Sequence, residues 1–259
     1  MAKRLFIPHH ISGFWLPVYT DDPVTTGSVG AGVLVGGAVV VYEGEGVRYN
    51  DALLERDGGV KIASPFPLGY GYAASAVVAI AKAIGEAGLA PRAFVKAHVE
   101  EVSRRTGLGD VLAIYTGGCL VARVKAGAPG IGEAYSMPCP KVGVVTADLA
   151  QISTGHMLTS RHSVIASAGA EAVAEFLKNP SFEAFLKIAL NFSKRVGFLD
   201  ARMETLGKLP GVLGLFAKKG VLVVFVERDW ILDVAHAVEA LGKVHVETLR
   251  ELRVEPLLP

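Results

Sequence analysis

The uncharged stretch between Lys61 and Lys82 restricts the fold of this chain most. It contains SPFPLGYGYAASAVVAIA, and its length approaches that of a membrane-spanning helix of about 20 residues. Two prolines and two glycines in its first half prevent a helix there. The stretch therefore predicts a glycine-rich loop followed by a buried helix over about 73–84, and no membrane span.

A glycine-rich turn directly before a helix N-terminus is typical of an anion-binding loop, because unpaired N–H groups and the helix dipole favour negative charge there. A tight turn beneath a packed helix is the alternative. The sequence has no GxxxxGKS/T motif. Gly69, Gly71 and Ala74 match GxGxxA. However, PFP separates them from the preceding strand, and no strand follows the helix at the distance that a dinucleotide-binding fold requires.

Length and charge limit the class of protein. The 259 residues are 51% hydrophobic, enough for a sizeable core and two domains, which we expect at 1–150 and 151–259. With 26 basic and 25 acidic residues, the formal net charge is +1, whereas nucleic-acid binders usually carry a basic face. We therefore expect neither a nucleic-acid partner nor a membrane partner.

The two cysteines, Cys119 and Cys139, have no His or Cys partner at metal-ligand spacing, and we expect no disulfide framework from them. This favours a reducing, cytoplasmic setting. The start of the sequence does not resemble a secretory signal, because a proline and two histidines interrupt its apolar run. The chain has one glutamine and three asparagines, a scarcity of amides that favours a thermophilic source.

Predicted strands and helices interleave without a repeating strand–helix–strand period, which indicates an α+β fold. SVGAGVLVGGAVVV predicts two strands joined by a hairpin at Gly36-Gly37. The Pro- and Gly-rich residues 126–143 predict a long connection. Two apolar runs split by the turn sequence KKG predict strands near the C-terminus. Helices are predicted over 91–106, 156–177, 181–206 and 229–241.

The segment PLGYGYAASA resembles the P-x-G-x-G-L-G-S-S-A phosphate loop of the GHMP kinases (galactokinase, homoserine, mevalonate and phosphomevalonate kinases). In that family the second serine reaches Mg2+ and the nucleotide phosphates, which implies this role for Ser75. A small residue that lets the helix pack closely is the alternative for Ser75. Tyr72, Ala73 and Ala74 depart from the Leu, Gly and first Ser of the pattern. The resemblance implies ATP binding by Pro67, Gly69, Tyr70, Gly71, Tyr72, Ala73, Ala74 and Ser75.

A second segment, RRTGLGDVLAIYTGG, resembles the SGxD…GG signature of the same family. There the Asp accepts a hydrogen bond from the substrate hydroxyl and serves as, or stands near, the catalytic base. The resemblance therefore implies a catalytic role for Asp110. An Asp that follows glycines at a helix N-terminus is alternatively a simple N-cap.

The helix before it, KAHVEEVSRRTG, places His98 and Glu101 on one face. Several GHMP kinases have a Glu on this helix that ligates Mg2+ opposite the loop serine. The resemblance therefore implies that Glu101 and Ser75 hold the metal and that His98 contacts the substrate. Pairing with arginines on a solvated face is the alternative for the two glutamates, and we accept it for Glu100.

The segments IPHHISGFW and DDPVTTGSVGAG resemble GHITGFF and TGSRGAG of the archaeal pantoate kinases, a branch of this family. GGCLVARVKAGAPG resembles their GG…R…PG strand. Their acceptor is a small hydroxy acid, so the resemblance implies that Arg123 holds a carboxylate as a bidentate fork. It further implies acceptor contacts from Ser28, His98, Thr154 and His10. The alternatives are a turn for Ser28, a helix N-cap for Thr154, a core or surface position for His98 and an exposed strand for Arg123.

The resemblance implies a two-domain α+β GHMP kinase fold, with a C-terminal ferredoxin-like domain and the active cleft between the domains. It implies phosphorylation of pantoate by ATP and Mg2+ in archaeal coenzyme A biosynthesis, by a homodimer in which Asp110, Glu101 and Ser75 are catalytic. The third glycine-rich motif of the family is barely visible in LGLFAKKGVLVVFV, and His9 stands where relatives usually have Gly. Another small-alcohol GHMP kinase (homoserine or mevalonate type), or a non-catalytic nucleotide or metabolite sensor, is the alternative.

Overall fold

The computed structural model of this chain describes residues 4–149 and 162–257. Two long antiparallel strands, β1 (Arg4–Val18) and β2 (Gly27–Val41), form the centre of the first sheet. Its other strands are β3 (Gly46–Tyr49), β4 (Ala52–Glu55), β5 (Gly59–Ala63), β6 (Leu120–Lys125), β7 (Glu133–Met137) and β12 (Glu255–Pro256). The order is β12-β1-β2-β5-β3-β4, with β6 paired to both β2 and β7.

Three helices belong to this half: α1 (Ala74–Ala87) and α3 (Asp110–Thr116) pack against the first sheet, and α2 (Pro91–Ser103) packs on α1 and α3. Most residues of α1 have small side chains. Its buried alanines belong to the same core cluster as Leu5, Ile7 and Val40 of the sheet. Small side chains let α1 lie close to the strands and to α2, which begins at Pro91 as the sequence predicts. The predicted loop–helix unit is thus confirmed.

The second sheet has the antiparallel order β11-β8-β10-β9. Its strands are β8 (Gly143–Asp148), β9 (Val212–Lys218), β10 (Val221–Val226) and β11 (Lys243–Thr248). The helices of this half are α4 (His162–Lys178), α5 (Phe182–Arg195), α6 (Ala201–Leu206) and α7 (Ile231–Val238). Within residues 4–149 and 162–257, every helix is too short or too polar to cross a bilayer.

An aromatic cluster joins the two halves. Phe14 and Trp15 of β1 pack against Phe176 of α4 and against Phe185 and Phe192 of α5, and all five side chains are buried. β1 therefore contributes to the core of both halves. The division into domains at residue 150 stays a prediction.

The hairpin predicted at Gly36-Gly37 is wrong, because β2 is one strand that runs through both glycines. The register with β1 shifts opposite them. The rings of Phe66 and Phe6 occupy the positions that side chains at Gly36 and Gly37 would need. These glycines therefore serve close packing rather than chain reversal.

Two further predictions of local structure are wrong. The predicted helix over 181–206 is divided into α5 and α6, and Gly197, with a φ of +69°, follows the end of α5 in the left-handed conformation. The predicted connection over 126–143 contains β7, a short and mostly exposed strand. The part of the predicted helix over 156–161 lies outside the described residues.

The expectation that the cysteines form no disulfide is also wrong. Cys119 and Cys139 are joined by a disulfide, and their Cα atoms lie 5.6 Å apart. Cys119 directly precedes β6 and Cys139 closely follows β7, so the antiparallel pairing of these strands brings the two residues together. Sequence spacing alone does not show this, because the strand pairing was not predicted.

Candidate active site

The glycine-rich loop lies directly before α1, as predicted. Gly69 and Gly71 have φ values of +86° and +107°, which L side chains rarely adopt. A Cβ atom on Gly71 would lie 2.8 Å from the backbone oxygen of Lys218, so the loop packs tightly against the turn between β9 and β10. No described side chain caps α1, and no acidic residue lies in its first turn. The N–H groups and the dipole of this helix end therefore favour an anion.

Two side chains hold the loop in place. His9 donates from Nδ1 to the backbone oxygen of Tyr72 (2.9 Å), and its Nε2 accepts from the hydroxyl of Ser64 (2.8 Å). Because a carbonyl oxygen only accepts, the proton lies on Nδ1; burial lowers the pKa of His9 to about 4, so the ring is neutral. The Tyr72 hydroxyl donates to Oδ1 of Asp148 (2.7 Å) and lies 3.0 Å from Oγ1 of Thr146. The loop is therefore fastened to both sheets.

Glu101 of α2 faces the start of α1. Its Oε2 accepts from the hydroxyl of Ser75 (3.1 Å) and its Oε1 from the hydroxyl of Thr106 (2.5 Å). Burial raises the pKa of Glu101 to about 7, with the charge of Asp110 adding to the rise and the two hydroxyl donors opposing it. Neighbouring Glu100 instead pairs with Lys82 and with an arginine, as predicted for a solvated face.

Asp110 is the first residue of α3, and Gly109 occupies the N-cap position. Oδ1 of Asp110 accepts from Nδ1 of His10 (2.6 Å) and lies 3.5 Å from Nζ of Lys218. Burial alone would raise the pKa of Asp110. The charge of Lys218, the hydrogen bond from His10 and the charge of Arg123 outweigh burial and hold that pKa well below its usual range. Asp110 is therefore an ionised carboxylate, and its side chain is 14% exposed.

His10 and Arg123 extend this network into the first sheet. Nη1 of Arg123 donates to Nε2 of His10 (3.1 Å), and Nη2 donates to the hydroxyl of Ser12 (3.3 Å). Since a guanidinium only donates, His10 carries its proton on Nδ1, and burial lowers its pKa to about 4. Nε of Arg123 is buried and has no hydrogen-bond partner in the described part of the chain. A Cβ atom on Gly109 would lie 2.7 Å from this nitrogen.

Two cavities meet at Asp110. One, of about 200 Å³, is lined by the glycine-rich loop and the start of α1. The other, of about 40 Å³, is lined by Ser12, Trp15, Ser28 and the segment before α3. The residues common to both are Thr106, Asp110, Lys218 and Lys219. The arrangement suits transfer of a group from one compartment to the other past a single carboxylate.

The structure brings together most residues that the sequence predicts for the site. Glu101 accepts a hydrogen bond from Ser75, and His10 donates one to Asp110. Neither Glu101 nor His10 lines a cavity itself. Those that line the cavities are Gly69, Gly71, Ala73, Ala74, Ser75, Asp110 and Ser28.

Other predicted residues lie elsewhere. Pro67 and Tyr70 belong to the loop but do not line its cavity, and the Tyr72 side chain points away from it. Nε2 of His98 is bonded to the backbone oxygen of Thr26 (2.9 Å). Thr154 lies outside the described residues.

Nη1 and Nη2 of Arg123 each donate one hydrogen bond within the protein, and Arg123 does not line either of the two cavities at Asp110. The acceptor contacts expected of Arg123 and His98 stay predictions.

Sequence reasoning missed the two lysines of the β9–β10 turn. Lys219 has a φ of +53°, and the turn packs on Gly71, which brings Lys218 and Lys219 to both cavities. Burial lowers the pKa of Lys219 to about 8, helped by the charge of Lys218. The signal was present in the sequence, because KKG occupies the place of the weak third glycine-rich motif.

The donor set fits a divalent cation bound together with a nucleotide. Glu101 and Ser75 present oxygen atoms of the kind that ligate Mg2+, which is commonly held by one or two carboxylates together with substrate phosphates. Among the described residues no cluster of three or more His, Cys, Asp or Glu side chains could hold a metal by itself. The glycine loop, the helix N-terminus and the two lysines fit a polyphosphate.

Comparisons with known proteins find similar sequences and similar folds. The chain is 31% identical over 244 residues to the pantoate kinase of Thermococcus kodakarensis, with 80% of each chain covered. A solved structure described as "Phosphotransferase related to CoA biosynthesis pathway" has a TM-score of 0.82 at 25% identity over 100% of both chains. The mevalonate kinase of Methanococcus jannaschii has a TM-score of 0.64 at 11% identity, over 98% of this chain and 99% of that chain. This last likeness concerns the fold alone, and it confirms the predicted α+β GHMP kinase fold. No family model matches the chain.

Proposed function

The chain belongs to the pantoate kinase family, and on this basis we propose that it transfers the γ-phosphoryl group of ATP to a hydroxyl of pantoate. The product is 4-phosphopantoate. The observation that supports this proposal best is the meeting of the two cavities at Asp110, with the phosphate loop on one side and Ser28 on the other.

On the donor side, the N–H groups at the start of α1 hold the triphosphate and the loop glycines let it approach the backbone. Ser75 and Glu101 would hold Mg2+, which when bound neutralises phosphate charge. The pKa of about 7 for Glu101 means that the carboxyl loses a proton as it takes up a cation near neutral pH.

On the acceptor side, Asp110 accepts a hydrogen bond from the reacting hydroxyl. His10 holds the carboxylate in place at 2.6 Å. The depressed pKa of Asp110 makes it a weak base, so its first role is to orient the hydroxyl. It receives the proton late, because little charge develops on the attacking oxygen in a loose phosphoryl-transfer transition state. Ser28 lines the cavity on this side, and its hydroxyl is a further hydrogen-bond donor to the acceptor.

The reaction belongs to archaeal coenzyme A biosynthesis, as the Thermococcus relative and the CoA-related phosphotransferase structure suggest. We further propose a homodimer in the cytoplasm. The disulfide between Cys119 and Cys139 is compatible with that compartment in a hyperthermophile, whose intracellular proteins are often rich in disulfides.

An assay of ADP release over a panel of hydroxy acids tests the function. Turnover with pantoate alone is the expected result. Turnover with homoserine or mevalonate would favour another GHMP kinase instead, and ATP binding without turnover on any acceptor would favour a sensor. Asp110→Asn should remove most of the activity and leave the fold intact; a near-normal kcat would refute the role of Asp110.

A further inference from the structure

The turn between β9 and β10 brings a buried cation to the point where the two cavities meet. Lys218 is the last residue of β9, and its side chain is almost fully buried. Its Nζ lies 3.5 Å from Oδ1 of Asp110 and 5.9 Å from the centre of the Trp15 ring. The roles proposed for Ser75, Glu101 and Asp110 leave this ammonium group unused.

A buried ammonium group needs opposite charge nearby as compensation, since its removal from water costs several kcal/mol. Asp110 supplies only part of it, because the contact is long and the same oxygen accepts the 2.6 Å bond from His10. The positive charge of Arg123 acts on Lys218 as well, whereas Glu101 adds a smaller negative contribution than Asp110 does. Asp110 therefore lies between two buried cations, Lys218 and Arg123, and a bound polyphosphate would supply further negative charge beside Lys218.

The position of Lys218 is fixed relative to the phosphate loop. Its backbone pairs with Val221 across the hairpin, and its carbonyl oxygen packs against Gly71. A charge held in this way needs no reorganisation during the reaction. Preorganised donors of this kind stabilise charge that develops in a transition state.

We propose, on the basis of the proposed kinase function, that Lys218 is a catalytic residue whose ammonium group contacts the phosphoryl group during its transfer. In this step the bond between phosphorus and the acceptor oxygen forms. The bond between phosphorus and the β–γ bridging oxygen breaks, with its electron pair going to ADP. The hydroxyl proton passes to Asp110, and Lys218 keeps its own protons while its charge stabilises the equatorial oxygens.

Neutral substitutions test this role. Lys218→Met and Lys218→Gln should lower kcat by about a hundredfold or more, the usual loss when a transition-state donor is removed, with smaller changes in both KM values. Lys218→Arg keeps the charge and should retain more activity than either. Lys187→Met is the matched control, because Lys187 is exposed on α5 and pairs only weakly with Glu175 at 3.5 Å.

A second measurement separates catalysis from folding. ADP with aluminium fluoride and pantoate mimics the transferring phosphoryl group. Lys218→Gln should bind ADP alone as the wild type does, and lose at least about tenfold in affinity when aluminium fluoride is added. Equal losses for ADP and for the fluoride complex would indicate a structural role and overturn the inference.

The outcomes distinguish this inference from the function it rests on. A wild-type chain that releases no ADP with pantoate would refute the proposed function, and with it the inference. An active wild type together with a Lys218→Met variant whose kcat is within about threefold would refute the role of Lys218 alone. A loss confined to the KM for pantoate would also refute it, since it would show ground-state binding of the acceptor.

Discussion

Replacing Glu101 by Gln should stabilise the ligand-free protein at alkaline pH while it removes activity. The pKa of Glu101 is raised from 4.5 in the unfolded chain to about 7 in the fold, chiefly by burial. A carboxyl with a raised folded pKa supports the fold below the unfolded pKa, and this support is lost as pH rises through the folded pKa. At 1.36 kcal/mol for each pKa unit, the ionised group costs about 3 kcal/mol above pH 8.

Urea unfolding of the metal-free protein between pH 5 and pH 9 measures this cost. The free energy of unfolding of Glu101→Gln should exceed that of the wild type by an amount that grows with pH and approaches about 3 kcal/mol. Glu100→Gln is the matched control. It removes ion pairs to Lys82 and Arg104 and should bring no gain at pH 9. Parallel pH profiles for the wild type and Glu101→Gln would refute the argument that burial opposes ionisation of Glu101.

Three further predictions concern the scaffold. Substituting Cys119 and Cys139 by serine should lower stability by about 3 kcal/mol, since the bond closes a loop with a sequence separation of 20; an unchanged Tm in a thermal scan would contradict this. Ala73, at the N-cap of α1, has a φ of +55°, which a β-branched residue adopts only with strain. Ala73→Val should therefore destabilise the protein by at least about 1 kcal/mol and raise the KM for ATP, whereas Ala73→Gly should change stability by less than about 1 kcal/mol. Tyr72→Phe removes the hydroxyl that bonds to Thr146 and to one oxygen of Asp148, and should cost about 1–3 kcal/mol in urea unfolding; no change would show that this hydroxyl does not hold the loop.

The sequence predicts the site better than the sheets. The order of loop, helix and second helix is local, and Ser75, Glu101 and Asp110 belong to segments whose patterns resemble known motifs. The structure places the Ser75 hydroxyl 3.1 Å from the Glu101 carboxylate, and both lie beside Asp110. Close packing instead of a turn at Gly36-Gly37 depends on the rings of Phe66 and Phe6, which no local pattern shows.

The residues that sequence reasoning missed are positioned by long-range pairing. Lys218 and Lys219 reach the site because the β9–β10 turn packs on Gly71. His9, a departure from the usual glycine of the relatives, donates a hydrogen bond to the backbone of the glycine-rich loop 63 residues further along the chain. Such contacts follow from how the two sheets meet, and strand propensities do not reveal that arrangement.

The central claim is that the two cavities hold the donor and the acceptor on opposite sides of Asp110. A crystal structure with Mg2+, a non-hydrolysable ATP analogue and pantoate tests it most directly. We expect the γ-phosphate at Ser75 and the start of α1, and the pantoate hydroxyl within hydrogen-bond distance of the Asp110 carboxylate. Pantoate bound instead in the neighbouring cavity of about 640 Å³ between the end of β1 and the end of α2, which Asp110 does not line, would contradict the account.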